Sequence, residues 1–124
     1  MPSIDAIGCE AWNAVSGADN PFLRYEFLAA LESNRCVGEQ HGWVPRHLAA
    51  YDNEQLVGAV PLYLKDNSYG EFVFDWSWAD AWQRAGRRYY PKLVSAVPFT
   101  PAPSPRLRSP APPPGRRGSS ARCR

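Results

Sequence analysis

The sequence predicts a mixed fold of the α/β or α+β kind for residues 1–102 and no packed structure for residues 103–124. Helical periodicity recurs in the first third of the chain, apolar strand-like runs follow it, and all 16 aromatic residues precede Pro103. Helices and strands in such a mixture pack as layers around one core. The predicted order is helix, helix, strand, strand, extended segment, helix, strand, which leaves the sheet half built.

The chain is predicted to begin with two helices. Residues 8–16 place apolar side chains at helical spacing, which indicates a short amphipathic helix. Asn20 followed by Pro21 is typical of a helix start, with Asn20 as the N-cap and Pro21 at the first helical position. We expect this second helix to run to about Arg35.

A hairpin is predicted next. Residues 47–51 and 55–64 have the composition of strands, and the polar residues 52–54 form the turn between them. Pro61 lacks a backbone N–H, so we expect a bulge or an unpaired edge at that position.

The remaining elements are shorter. Residues 68–74 are predicted to be extended, and residues 75–85 have helical spacing that Gly86 ends. Residues 92–99 are rich in Val and are predicted to form the last strand. If that strand lies at a sheet edge, its unpaired N–H and C=O groups favour self-association.

Charge divides the chain at the same point as composition. Residues 103–124 hold six Arg and no acid, whereas residues 1–102 hold eight basic and 12 acidic residues and carry −4. The acidic body gives no electrostatic reason to expect nucleic acid, and single-strand binding by its aromatic residues is disfavoured for the same reason. The whole chain carries +2 only because of its last 22 residues.

Residues 103–124 form a low-complexity tail in which 20 of 22 positions are Pro, Arg, Ser, Gly or Ala. Leu107 is its only large aliphatic residue, so we expect the tail to be disordered. It could be an interaction segment, either a basic anchor or a ligand for a proline-binding groove. The lack of a repeat or motif spacing favours the alternative, a frameshift in a GC-rich gene.

Cysteine usage indicates a reducing compartment. The three cysteines include no closely spaced pair, so we expect a cytoplasmic protein without disulfides. Cys9, Cys36, His41 and His47 do not have zinc-ligand spacing, so we expect no metal site, with buried thiols and partly exposed histidines instead. No signal peptide is recognised, and no apolar run approaches the roughly 18 residues of a membrane span.

Residues 61–101 contain the densest chemistry, with four of the six tyrosines and three of the five tryptophans. The run SYGEFVFDWSWADAW followed by RRYYPKLVSAVPFTP resembles a bacterial family of peptidoglycan-biosynthesis-like proteins, in the FemAB-like branch of the GNAT acyltransferase superfamily. NPFLRYEFLAALE at 20–32 and GWVPRHL at 42–48 resemble the N-terminal part of that family.

The resemblance implies a partial GNAT-like sheet with flanking helices, and transfer of an acyl or aminoacyl group to an amine. The implied donor is an acyl-CoA or an aminoacyl compound, and the implied acceptor is a small molecule or a peptidoglycan precursor. In the superfamily the donor's pyrophosphate binds backbone N–H groups after a central strand. Here the tail begins where that loop would follow residues 92–99, and the sequence has no Gly-rich phosphate loop. We therefore expect a truncated, inactive fragment; whether it is an enzyme stays open.

Acyl transfer to an amine needs a group that takes the amine proton, and Glu71, Asp75 and Asp80 are the candidate bases. Asp75 could instead be an N-cap, and Glu71 could lie on a solvated strand face. Asp75 and Asp80 are five residues apart and would not share a helix face. Lys92 could hold a phosphate or carboxylate, or could simply be exposed.

A set of aromatic residues could line an acceptor pocket, although core packing is the alternative. Its members are Tyr69, Trp76, Trp78, Tyr89 and Tyr90. The function classes that remain are a truncated acyltransferase and, as the alternative, a non-enzymatic interaction protein that acts through its Pro/Arg-rich tail.

Overall fold

The computed structural model describes residues 1–71 and 75–101, and within them the fold is mixed α/β as predicted. The helices are α1 (Cys9–Ser16), α2 (Tyr25–Ser33) and α3 (Trp76–Arg84). The strands are β1 (Val44–Pro45), β2 (Leu48–Asp52), β3 (Gln55–Val60), β4 (Tyr63–Lys65) and β5 (Lys92–Val94). The tail lies outside the described residues, and so do the hypotheses of a frameshift, of disorder and of an interaction segment that concern it.

The second predicted helix is divided in two. Asn20 caps as predicted, since its side chain accepts a hydrogen bond from the Phe22 N–H at 2.9 Å, but the turn it caps is a 3-10 turn. Arg24 is extended, with ψ of 149°, and α2 begins only after it. Asn13 of α1 supplies the missing cap, because its Oδ1 accepts from the Tyr25 N–H at 2.9 Å.

The hairpin is confirmed, with β2 and β3 antiparallel. Its turn places Asn53 and Glu54 at φ of 45° and 70°, the left-handed pair of a type I′ connection. The predicted second strand, however, ends at Val60. Pro61 cannot donate to a ladder, and the chain then enters β4, which belongs to a different sheet.

The second sheet has the order β1-β4-β5 and is antiparallel throughout. The predicted last strand is shorter than expected, because β5 pairs with β4 only over Lys92–Val94. Val97 and Pro98 are buried beyond it, and Phe99 has φ of 55°, a conformation that cannot continue a strand.

Two apolar clusters form the core. The larger joins α1, α2 and β3 and contains Ile4, Ile7, Trp12, Val15, Leu28, Leu56 and Ala59. The smaller consists of Val37, Trp43 and Tyr63 and lies beside β4. This second cluster forms the apolar floor of the site described below.

The expectation of buried thiols is wrong, and the expectation of partly exposed histidines is wrong for His47 but not for the exposed His41. Cys9 and Cys36 are exposed. His47 is fully buried, and the partners of both ring nitrogens offset the cost of burying them. No group of three metal-binding side chains occurs within residues 1–71 and 75–101.

Helix α3 matches the predicted helix over 75–85, and Gly86 ends it with φ of 72°. None of its residues is buried. Among the described residues, no helix is long and apolar enough to cross a bilayer.

Candidate functional site

The candidate site begins with two lysines that face each other across the sheet. Lys65 at the end of β4 is the direct partner of Lys92 at the start of β5. Like charges in directly opposed positions repel, so this pair requires acidic neighbours.

Glu71 meets that requirement. Its Oε2 accepts a hydrogen bond from the Lys92 Nζ at 2.8 Å, and its Oε1 lies 3.8 Å from the Lys65 Nζ. The side chain is 10% exposed, so the sequence-based alternative of a solvated strand face for Glu71 is wrong. Oε1 has no hydrogen-bond partner within residues 1–71 and 75–101.

Asp75 completes the cluster from the start of α3. It occupies the N-cap position of that helix, but its side chain makes no capping hydrogen bond. Instead its carboxylate accepts from the Lys92 Nζ, and from the Tyr89 hydroxyl at 2.8 Å. The ammonium of Lys92 and then the Tyr89 hydroxyl hold the pKa of Asp75 below its usual range. The capping alternative is therefore replaced by an ionic role.

Lys92 is the centre of the ion cluster, defined here as Lys65, Glu71, Asp75 and Lys92. Partial burial works against its charge, but the hydrogen bonds to Asp75 and Glu71 outweigh burial and raise the pKa of Lys92. The pKa of the Tyr89 phenol is also raised, because its hydroxyl donates a hydrogen bond to Asp75. The alternative of a simply exposed lysine is wrong.

Lys65 was not predicted as a site residue, yet it is fully buried. Its Nζ donates to the Tyr69 carbonyl oxygen at 2.8 Å and lies 3.9 Å from the centroid of the Trp43 ring. Burial lowers the pKa of Lys65. The sequence did contain a signal, because Lys65 is two residues from the buried Tyr63 and so points to the same side of β4.

The predicted aromatic residues divide into two groups. Tyr89 and Tyr90 lie at the cluster, with ring centroids 5.0 Å apart, and the Tyr90 hydroxyl forms a hydrogen bond with Ser68. By contrast, the side chains of Tyr69, Trp76 and Trp78 are mostly exposed. Tyr69 contributes only its backbone carbonyl.

A hollow of 240 Å³ lies next to the cluster on the side of the two tyrosines. Its lining is Ala79, Gln83, Arg87, Arg88, Tyr89 and Tyr90. A small molecule in this hollow would contact Tyr89, whose hydroxyl donates to Asp75.

Asp80 does not belong to the site. Its carboxylate pairs with Arg84 one helical turn away, and both side chains are more than half exposed, at 54% and 78%. Of the three candidate bases, Glu71 and Asp75 therefore lie in the ion cluster, whereas Asp80 does not.

A second, partly buried polar cluster around Glu32 joins the N-terminus to the hairpin and was missed by sequence reasoning. Glu32 accepts from the Ser3 hydroxyl at 2.7 Å and lies 2.9 Å from the Nε2 of His47. The His47 Nδ1 accepts from the Leu62 N–H at 3.2 Å, so Nε2 carries the proton and donates to Glu32. Serine and histidine both bind the carboxylate rather than each other, which excludes a nucleophile–base arrangement here.

The helical spacing indicated that Glu32 would be shielded from solvent. Glu32 lies four residues after the buried Leu28 and hence on the same face of α2.

Comparison with known proteins gives one family. A model of the FemAB-like family, described as peptidoglycan biosynthesis/recognition, matches residues 3–117, which includes the ion cluster and the first part of the tail. No curated protein and no solved structure matches this chain.

Proposed function

Because this chain belongs to the FemAB-like family of peptidoglycan biosynthesis and recognition, we propose that it takes part in transfer of an acyl or aminoacyl group to an amine of a peptidoglycan precursor. The observation that carries the proposal is the convergence of Glu71, Asp75 and Lys92 in one partly buried cluster. These residues come from a turn, a helix start and a strand, so the fold brings them together.

The reaction places one demand that this cluster can meet. The amine nitrogen attacks the acyl carbon, the bond to the donor's leaving group breaks with its electron pair, and the nitrogen must lose a proton. A carboxylate near the attacking amine accepts that proton.

Glu71 is the carboxylate that suits this role. One of its oxygens is held by Lys92, while Oε1 has no hydrogen-bond partner among the described residues. A buried oxygen without a hydrogen-bond partner is uncommon, and a catalytic role is one explanation for it. Within the part of the chain that the structure describes, Oε1 has only its ion pair with Lys65 at 3.8 Å. An ammonium or amine of the acceptor would satisfy it.

Asp75 suits a different role. Its lowered pKa makes it a weak base at neutral pH, and its contacts hold Lys92 and the Tyr89 hydroxyl in place. We assign it as a positioning residue. Lys92, held by two carboxylates, fixes the orientation of Glu71.

The donor is proposed to be an acyl-CoA or an aminoacyl compound, which is the donor that the family resemblance implies. Since the sequence contains no Gly-rich phosphate loop, we propose that this chain alone binds the acceptor but does not turn over.

Binding of a muropeptide with a free amine, measured by calorimetry, tests the proposal. Glu71→Gln removes the charge and should weaken binding about tenfold, the scale of one charge-assisted hydrogen bond. Asp80→Asn is the matched control and should bind like the wild type, because Asp80 lies outside the cluster. Equal affinity of all three folded proteins, each checked by thermal melting, would refute the assignment of Glu71.

A further inference from the structure

Helix α3 has an apolar face that the described part of the chain covers only at one edge, where the Tyr89 ring and the Arg87 guanidinium lie 6.4 Å and 5.9 Å from the centroid of the Trp82 ring. Trp78 and Trp82 are four residues apart and therefore share this face, with side chains 66% and 42% exposed. Ala81 and Ala85 lie between and beside them, and together with Arg87 they line a shallow concavity of 450 Å³. We call these five residues the tryptophan face.

The opposite side of α3 is mainly polar, although it also carries Trp76, which is 63% exposed. Asp80 and Arg84 pair there across one helical turn. A paired Trp78 and Trp82 on one face, with an ion pair on the other, is the pattern of a helix that lies at an apolar–aqueous boundary.

The helix also needs a partner to be stable. It has nine residues and none of them is buried, whereas isolated helices shorter than about 12–15 residues are marginal in water. Burial of the tryptophan face would supply the missing stabilisation.

Charge decides which partner fits. After Asp80 the sequence contains ten Lys and Arg residues and no Asp or Glu. Of these, Arg87 lines the tryptophan face itself, and Arg88 lines the adjoining hollow. Neither forms an ion pair within residues 1–71 and 75–101. A second copy would bring the same positive charges together, and the Arg-rich tail would be repelled, whereas an anionic surface would complement them.

We propose that the tryptophan face is an interfacial binding site for an anionic lipid bilayer, in which Trp78 and Trp82 enter the headgroup region and Arg87 and Arg88 contact lipid phosphates. Tryptophan is enriched at that depth because its ring is apolar and its N–H remains wet. Basic residues beside an amphipathic helix add attraction to anionic leaflets.

Co-sedimentation of the full chain with vesicles tests the proposal. The protein should pellet with phosphatidylglycerol/phosphatidylcholine vesicles and not with phosphatidylcholine alone. Raising NaCl to about 0.5 M should weaken binding at least several-fold, because the contacts to phosphate are screened. The salt experiment uses the wild-type protein, so its outcome does not depend on whether a variant folds.

Two variants separate the apolar from the ionic contribution. Trp78→Ala with Trp82→Ala should lower the partition coefficient at least tenfold, and Arg87→Gln with Arg88→Gln should lower it about 20- to 30-fold, at about 1 kcal/mol for each charge. Leu48→Ala with Tyr51→Ala is the matched control, since both residues are exposed apolar residues of the hairpin, and it should bind as the wild type does.

Several results would overturn the proposal. They are absence of binding to anionic vesicles, equal binding to both vesicle types, and loss of binding in the hairpin control equal to that in the tryptophan variant. A tryptophan variant that loses self-association on gel filtration, in a protein that does not bind vesicles, would assign the face to a second copy instead.

Discussion

The Nε2 of His47 donates to the Oε1 of Glu32 across 2.9 Å, and this contact ties α2 to the residue that precedes the hairpin. Glu32 also accepts from the backbone N–H of Ile4, so one carboxylate joins the N-terminal turn, α2 and the hairpin. The charged amino group of Met1 in turn donates to the His47 carbonyl oxygen at 2.8 Å. We expect this carboxylate to matter more for stability than any exposed acid.

Glu32→Gln should lower the free energy of unfolding by about 1–3 kcal/mol, because buried donors lose a charged acceptor. Urea unfolding monitored by circular dichroism measures the change. Glu54→Gln is the control, as Glu54 is exposed in the hairpin turn, and its urea midpoint should hardly move. Equal midpoints for the two variants would contradict the structural role of Glu32.

The same residue predicts a pH dependence. Burial alone would raise the pKa of Glu32, but hydrogen bonds from His47, Ser3 and Ile4 lower it below the unfolded value of 4.5. Its stabilisation is thus complete above pH 4.5 and is lost as pH falls through the lower folded value. The wild-type urea midpoint should decrease over that range by more than that of Glu32→Gln. Parallel pH profiles for the two proteins would count against this assignment.

Lys92→Met should raise the pKa of Asp75 toward its ordinary value of 3.8, since the largest cause of the lowering is removed. The carboxyl carbon of Asp75 can be titrated by NMR. We also expect a loss of about 2–3 kcal/mol in the free energy of unfolding, because two partly buried carboxylates lose their cation. Arg84→Met, which removes an exposed partner of Asp80, should leave the Asp75 titration unchanged; a shift there would show that the effect is not local.

Strand β5 should promote self-association. It is the edge of the β1-β4-β5 sheet, and its Leu93 is 60% exposed. Leu93→Lys should shift the population toward monomer in sedimentation velocity. Ala30→Lys adds the same charge on the exposed side of α2 and serves as control. If Leu93→Lys leaves the distribution of monomer and oligomer unchanged, the edge of β5 does not mediate self-association.

The chain alone should give no product with acetyl-CoA or an aminoacyl donor and an amine acceptor. Donor-dependent product that disappears in Asp75→Ala would contradict this prediction. Product that persists unchanged both in Asp75→Ala and in Glu71→Gln, which removes the proposed base, would instead indicate a contaminating activity.

Much of the local structure could be predicted. The Asn20 cap, the hairpin turn after Asp52 and the end of α3 at Gly86 each depend on residues within one or two turns of chain. Errors came where distant groups intervened. The second helix breaks at Arg24 because Asn13 and Trp12 bind the backbone on either side of it.

The candidate site shows the same division. Glu71, Asp75, Tyr89 and Lys92 were recognisable as chemically suited residues, but not as neighbours. Lys65 was missed because a lysine is usually exposed, and only the two-residue period of β4 indicated its burial.

The sequence by itself determined the mixed α/β class, the order of α1, the β2–β3 hairpin and α3, the family resemblance and the change of composition at Pro103. It could do so because periodicity, capping and turn chemistry act between residues close in the chain. The tertiary structure decided that Asp75 binds Lys92 rather than its own helix start, that Glu71 lies between two lysines, and that His47 is buried. Those outcomes depend on contacts between residues up to about 20 positions apart or on strand register, and a charged group chooses its partner by the total free energy of burial and pairing.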